Sequence, residues 1–456
     1  MFVRTTALCL VLFASSLLAQ QRHPVLMISI DGLRPDYVTH AGEHQLKIPT
    51  LRRFLTEGTY ADGVVGVFPT VTYPSHTTLV TGVWPAEHGI FNNTRFDPEH
   101  KFAGAWYWYA DQIKVPTLWS AAKSAGLQTA SVSWPVTVDS TAIDFLIPEY
   151  WRASAAESSN PDDRFMMDAV SRPDGELKRI AQRVNAPYMM GNDTSPEGDE
   201  TRTLYSLDIL KQHKPEFMTI HLSSLDEEEH LHGPFSQEAN ADLEQIDGMV
   251  ARLISQERTN NPHSVIVIVS DHGFAHVDHA LNLYIPFLQS GLIQAKRDAS
   301  GAVTVTSWTA EPWPLGAMFA IMLRDPSDTA TYNKVHTLLT KLAADRNNGI
   351  EAILDQKQVA ALGGVLQASF VVTLKPGYTA GASLTGLLVG EAPVKGTHGY
   401  NPQTTPEMHA SFFAVGPGIH AGKDLGTIDM RRIAPTVAGL LHISLPTATQ
   451  PVLDLH

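Results

Sequence analysis

The amino-acid sequence predicts an α/β protein, a mostly parallel β-sheet flanked by helices on both faces. Three observations carry that prediction. Continuous apolar runs bounded by turn residues recur along the chain, the pattern of strands buried on both faces of a parallel sheet. Helical patterns lie between these runs, so strand and helix alternate. Glycines stand where several of the helices would stop.

The strands expected are "VLMISI" (25–30), "TASVSW" (129–134), "FMTIHL" (217–222), "VIVIVS" (265–270) and "SFFAVG" (411–416). All five read as buried parallel strands. Helices are expected over 48–58, 74–82, 115–126, 240–258 and 430–442, with Gly58, Gly82 and Gly126 as C-caps. The stretch from about 285 to 390 is different in kind. Rich in Gly, Thr and short β-like runs such as "AVTVTSW" and "SFVVTL", it reads as an α+β insertion between core strands. No internal repeat or low-complexity tract interrupts the pattern.

Composition bounds the rest. With 456 residues, 43% of them hydrophobic and 18% charged, the chain describes a soluble globular protein with a large core. A net charge of −14 excludes a nucleic-acid-coating protein, because phosphate contacts need clustered Lys and Arg. Residues 1–19, with one Arg, an apolar run and small residues ending at Ala19, read as a secretory signal peptide. Cys9, the only cysteine, lies inside that leader and lacks the small residue that precedes a lipid-modified cysteine. A thiol-free mature chain has no disulfides. No later run of about twenty apolar residues follows, so the expectation is an exported protein, periplasmic or secreted, with residues 20–456 forming one domain.

The strand ends carry the chemistry. The run 25–30 stops on Asp31, the run 217–222 leads to Asp226 and His230, and the run 265–270 stops on Asp271 and His272. In a parallel α/β sheet the carboxyl ends of the strands share one edge, where ligands bind. Carboxylates brought together there repel one another unless a cation lies between them, and carboxylate with imidazole suits zinc. Against this stands a plainer reading, since Asp after a strand is also a routine turn or cap residue. For a nucleophile, "GVFPTVTYPSHTTLVTG" (66–82) offers Thr70, Thr72, Ser75, Thr77 and Thr78 around a helix start, where a phosphate docks readily. Spacing alone leaves open whether any of these is more than a helix cap.

Five segments in this order, "ISIDGLRPDY", "FPTVTYPSHTTLVTGVWPAEHGIFNN", "DEEEHLHGP", "SDHGF" and "GTHGY", resemble the nucleotide pyrophosphatase/phosphodiesterase family of the alkaline phosphatase superfamily. "IDMRRIAPTVAGLLHISLP" fits that superfamily's last helix. The resemblance runs through nearly the whole mature chain and is weakest at 150–200 and 290–390. It implies an alkaline-phosphatase-like core holding two Zn2+, with other divalent cations as substitutes, and it places the insertion before the last metal-ligand histidine. Asp226, His230 and His398 resemble the ligands of one zinc; Asp31, Asp271, His272 and Thr72 resemble those of the other. Among the hydroxyls the family motif falls on Thr72, implying a covalent phospho-threonine intermediate. Asn93 matches the asparagine that hydrogen-bonds a phosphoryl oxygen, with Asn92 as its neighbour.

Around Thr72 the sequence offers Val71, Tyr73 and Pro74 and no adjacent basic residue, which favours diesters over doubly charged monoesters. The expected substrate is a small phosphodiester or nucleotide. Tyr73 either stacks on it or packs under its own loop, while Tyr150 and Trp151 resemble an aromatic wall for the nucleotide. A phosphomonoesterase needs a further cation, for which Lys101 and Arg152 are the candidates. A choline-headgroup phosphodiesterase needs an aromatic or acidic pocket. Sulfatase chemistry is excluded by the missing Cys or Ser motif. An exported solute-binding protein, the alternative outside enzymology, has no use for six metal-type ligands. The remaining motif histidines, His76, His88, His232, His276 and His279, read as core or surface residues. Glu227–Glu229 reads as a solvated acidic turn, and Arg34 as a structural ion pair or helix N-terminal contact.

Overall fold

Eight strands make the central sheet: β1 (Val25–Ile30), β2 (Thr59–Tyr60), β3 (Thr129–Val132), β4 (Phe145–Ile147), β5 (Phe217–Leu222), β6 (Val265–Val269), β7 (Phe412–Val415) and β8 (Lys423–Asp424). Their spatial order is β8-β2-β7-β6-β1-β5-β3-β4. The computed structural model describes residues 22–99, 101, 102, 104–151, 163–299, 301 and 303–456. The leader-like segment 1–19 and Arg152 lie outside the described residues. Among the described residues no helix is long and apolar enough to cross a membrane.

Strand β1 is central because every one of its residues is buried. It pairs in parallel with β5 and β6, Ile30 opposite Leu222 and Ser29 opposite Val269. Alternation divides its side chains between two cores. Leu26, Ile28 and Ile30 join one with Leu243, Ile246, Val250 and Leu253; Val25 and Met27 join the other with Leu79, Val437 and Leu441. The helices supplying those partners are α1 (Thr72–Thr81), α3 (Gln237–Asn260) and α4 (Ile433–Leu441), and α2 (Ser224–His232) adds Leu225 to the first core. Two helices the sequence reading left out, Glu176–Val184 and Pro196–His213, fall in or beside the stretch where the family resemblance is weakest.

Strand β7 corrects one expectation. It runs antiparallel to β6, Phe412 opposite Val269, rather than parallel. The reason is topological: Phe412 enters opposite the last residue of β6, at the sheet edge where β1 and β6 end. The strand therefore starts at that edge and runs away from it. Gly58 and Gly82 are the C-caps expected, Gly58 with extended dihedrals (φ −134°) and Gly82 left-handed at φ 72°, whereas the third helix is capped by Ala125, one residue before Gly126.

Between β6 and β7 the chain builds a four-stranded antiparallel sheet from Ala310–Pro314, Met318–Leu323, Ile350–Asp355 and Phe370–Leu374, packed against the helix Thr329–Ala344. Phe319, Ile321, Val335, Leu339, Phe370 and Val372 share its core. This unit reaches the central sheet at a useful place. Ala317 N–H donates to the His398 carbonyl (2.9 Å), and Asn92 Nδ2 donates to the Pro314 carbonyl (3.3 Å).

Candidate active site

The carboxyl ends of β1, β5 and β6 deliver side chains to one place. Asp31, Asp271 and His272 come together with metal-ligating atoms within 4.8 Å of one another, and so do Asp226, His272 and His398. His230 joins through Asp226, its Nε2 3.5 Å from Asp226 Oδ2. The two groups adjoin: His272 belongs to both, and its ring stacks on that of His398 at 3.7 Å between centroids. His272 thus bridges sets that the sequence reading kept apart.

Local backbone chemistry holds each group in place. Asp226 and His230 are one turn apart on α2, so their side chains share a face. Gly32 sits in the left-handed region (φ 74°), and a Cβ there would lie 2.7 Å from Glu229 Oε2. Its N–H donates to Asp271 Oδ1 (3.2 Å), tying β1 to β6. His398 is laced to the nucleophile loop: its Nδ1 donates to the Thr70 carbonyl (3.0 Å), while Gly399 N–H donates to Thr70 Oγ1 (3.1 Å). That loop geometry needs Gly399, whose φ is 97° and whose added Cβ would meet Ala317 N at 2.6 Å.

The hydrogen bonds test whether these groups suit a cation. In His230, His272 and His398 alike, Nδ1 faces a backbone carbonyl, of Gly396 (3.0 Å), Gly273 (3.2 Å) and Thr70 (3.0 Å). A carbonyl only accepts, so Nδ1 carries the proton and Nε2 keeps a lone pair for a metal. The carboxylates show the complementary pattern. Asp31 Oδ1, Asp226 Oδ1 and Asp271 Oδ2 are buried and make no hydrogen bond. They lie 3.5, 3.8 and 3.0 Å from imidazole Nε2 atoms. Orphaned anionic oxygens facing imidazole lone pairs are what a divalent cation satisfies. The donor set fits.

Electrostatics point the same way. Burial, then repulsion from Asp271 and Asp226, holds the Asp31 carboxyl well above the usual carboxylate range, and burial raises Asp226. Burial and the neighbouring His272 and His230 hold His398 well below the ordinary imidazole value, so it stays neutral. Burial works against the His272 imidazolium, yet the carboxylates around it push it up to about 9, so with no ion present this ring holds a second proton, on Nε2, that a bound cation would displace.

Beside this cluster, α1 begins at Thr72, whose Oγ1 lies 3.4 Å from His272 Nε2. The other hydroxyls are turned elsewhere. Thr70, Thr77 and Thr78 donate to the carbonyls of Tyr400, Tyr73 and Val83, and Ser75 is fully buried. Asn93 Oδ1 accepts the Tyr73 N–H (2.9 Å), which fixes the amide and leaves Nδ2 as its free donor among the described residues. Asn92 points instead to the insertion.

Some side chains differ from expectation and others match it. Tyr73 is 1% exposed, with its hydroxyl donating to Glu149 Oε1 (3.2 Å) and its ring against Trp106, so it packs under its loop and has no face to offer a ligand. Glu229 is fully buried rather than solvated, accepting the Tyr37 hydroxyl at 2.9 Å. Tyr150 and Trp151 stand half-buried beside Trp108 and Trp106, at 4.9 and 4.5 Å between centroids. Lys101 pairs with Glu99 at the surface (2.7 Å). Arg34 caps its helix and pairs with Asp36 (2.6 Å). His88 is a core residue, while His232, His276 and His279 are exposed. His76 is buried with both ring nitrogens engaged, by the Thr72 carbonyl and Ser29 Oγ.

Fold and site together define an alkaline-phosphatase-like α/β protein with two adjoining sets of metal-type ligands at a hydroxyl-bearing helix. Residues 25–401 match the family model described as type I phosphodiesterase / nucleotide pyrophosphatase, and the chain belongs to that family. Human ectonucleotide pyrophosphatase/phosphodiesterase family member 1 is 28% identical over 263 residues, 55% of this chain and 23% of that protein. An uncharacterized pyrophosphatase/phosphodiesterase of Schizosaccharomyces pombe is 25% identical over 297 residues, 64% of this chain and 50% of that protein. The match therefore spans half or less of the length of these relatives. Murine ectonucleotide pyrophosphatase/phosphodiesterase 5 shares the fold, with a TM-score of 0.64 at 17% identity, covering 95% of this chain and 97% of that one. An inactive form of the murine protein in complex with AMP gives 0.64 at 16%, covering 94% and 96%.

Proposed function

We propose that this chain is an exported two-zinc hydrolase that cleaves phosphodiester or pyrophosphate bonds in nucleotide-type small molecules. The observation that carries the proposal is the set of orphaned carboxylate oxygens and imidazole lone pairs converging beside Thr72. Asp31, Thr72, Asp271 and His272 would hold one ion, and Asp226, His230 and His398 the other. Such a pair supplies the positive charge that acidifies a hydroxyl and stabilises a leaving oxygen.

The protein's own groups do the rest. Thr72 Oγ1 loses its proton to solvent and bonds to phosphorus, while the bond from phosphorus to the leaving oxygen breaks and the alcohol or nucleotide departs. Water then attacks the phospho-threonine from the vacated side and regenerates Thr72. Asn93, its carbonyl oxygen already tied to the Tyr73 N–H, directs its Nδ2 protons at a phosphoryl oxygen. Tyr150 and Trp151, with Trp106 and Trp108, supply the stacking wall for the nucleoside half. Lys101, committed to Glu99, gives no second cation for a monoester dianion, which favours diesters. The murine relative's inactive form was solved in complex with AMP, which supports a nucleotide-type substrate.

The test is a purified sample assayed for zinc content and for hydrolysis of bis-p-nitrophenyl phosphate, p-nitrophenyl phosphate and nucleotide diesters. The expected result is zinc-dependent cleavage with the diesters preferred, and mass spectrometry of a quenched reaction placing on Thr72 a phosphoryl group that still carries the substrate's second ester substituent. Absence of any metal-dependent phosphoester cleavage would overturn the proposal.

A further inference from the structure

We propose that His221, backed by Glu149, is a positioning residue that decides which oxygen of Asp31 faces the metal and couples that carboxylate to the nucleophile loop. The inference rests on the two-ion reading above. His221 is the one imidazole inside the apolar strand β5, and it is 2% exposed. A buried polar ring in such a strand is costly unless both nitrogens are engaged. Here they are. Nδ1 donates to the Ser133 carbonyl (3.0 Å) and Nε2 meets Asp31 Oδ2 (3.0 Å).

His221 differs from His272 and His398 in the oxygen it faces: its Nε2 is hydrogen-bonded to Asp31 Oδ2, whereas theirs face carboxylate oxygens left without a hydrogen bond. With both ring nitrogens engaged by protein groups, it offers no atom to a metal. What it does is occupy Asp31 Oδ2, leaving Oδ1 as the orphaned oxygen 3.5 Å from His272 Nε2. A carboxylate can rotate; one oxygen pinned by an immobile ring cannot present the wrong one.

The contacts continue on the far side. Glu149 Oε2 lies 3.7 Å from His221 Nδ1, and Glu149 Oε1 accepts the Tyr73 hydroxyl at 3.2 Å. Tyr73 follows Thr72, and its N–H is the donor that orients Asn93. A single chain of contacts, Asp31–His221–Glu149–Tyr73, thus runs from the metal ligand to the start of α1. Its effect is to set the distance between the pinned carboxylate and the attacking hydroxyl.

The test uses full-length His221→Phe and His221→Gln, with zinc affinity measured by chelator competition and kinetics on bis-p-nitrophenyl phosphate. The phenylalanine variant should lose about 10- to 100-fold in zinc affinity and in kcat, with KM within about threefold, and glutamine should recover part of both because its amide reaches Asp31. Equal zinc affinity in the folded phenylalanine variant and the unsubstituted protein would overturn the proposal. If the phenylalanine variant does not fold, His221→Asn replaces it, since asparagine is too short to reach Asp31; equal affinities for Asn and Gln would overturn it as well. An unsubstituted protein that binds no zinc would sink the two-ion reading itself, an outcome distinct from variants that bind as it does.

Discussion

The two halves of the site differ in how they meet water. Asp31, Asp271 and His272 have side chains 4%, 0% and 0% exposed, and they sit over the centre of the sheet. Asp226, His230 and His398 are 18%, 26% and 9% exposed. The inner half is drawn from the ends of β1 and β6, where neighbouring strands exclude solvent on both sides. The outer half comes from a short helix and from a loop that returns from the insertion. The difference teaches a division of labour: the half beside Thr72 is walled off from solvent, while the half that faces solvent would, on the proposed mechanism, let a leaving group depart and water enter. Burial of a carboxylate does not by itself make a candidate metal site: Glu257 on α3 is 2% exposed, yet among the described residues it belongs to neither group of metal-type ligands.

The largest expected effect falls on the inner half. Thr72→Ala should lower diester hydrolysis by at least roughly 10^3-fold while zinc content measured by atomic absorption stays near two. Activity close to normal in that variant would move the nucleophile to another hydroxyl. Next comes the outer half: His398→Ala should lose one zinc preferentially and slow the reaction by orders of magnitude. Retention of both ions would place His398 among the residues that merely pack against His272. A smaller effect separates the halves kinetically. Chelation of the full protein should release zinc in two phases, the exposed half roughly tenfold faster than the buried one, followed by a colorimetric zinc dye. A single phase would mean that the shared His272 makes the halves exchange as one.

The smallest effect concerns Glu257, a buried carboxylate outside the site. Burial raises Glu257 to about 7, above its ordinary 4.5. A raised folded-state value means its protonated form favours the fold below about 4.5, and that advantage is lost as pH climbs through 7. Glu257→Gln should therefore stabilise the protein at pH 8, on the order of 2 kcal/mol, and leave it unchanged at pH 4. Thermal unfolding of the metal-free protein at the two pH values checks this. A gain at pH 4 as large as at pH 8 would assign the effect to packing.

Much of the site was legible because its signals are local. Asp31, Asp226, His230, Asp271 and His272 announce themselves at or just beyond the ends of apolar runs, whereas Thr72 among the hydroxyls, and His398, were singled out only through the family resemblance. His221 was not legible. One histidine within "FMTIHL" is a weak signal, and nothing in the strand says that its nitrogens will meet Asp31 and Ser133, 190 and 88 residues away. Glu149, Glu229 and Tyr73 were obscured for the same reason, since their environments are made by segments remote in the chain. The direction of β7 was hidden as well, because an apolar run looks the same read from either end.

What the sequence determined unaided is periodicity and donor chemistry: which runs are buried strands, which residues end them, and which side chains own a lone pair or a charge. Tertiary structure alone decided which oxygen and which ring nitrogen are free, because that depends on hydrogen-bond partners brought up by the fold: donors from Gly32 and His221, and accepting carbonyls of Thr70, Gly273 and Gly396. It alone also decided that one half of the site is sealed and the other open. Burial is a property of neighbours, and neighbours are assigned by the packing of the sheet and the return path of the insertion.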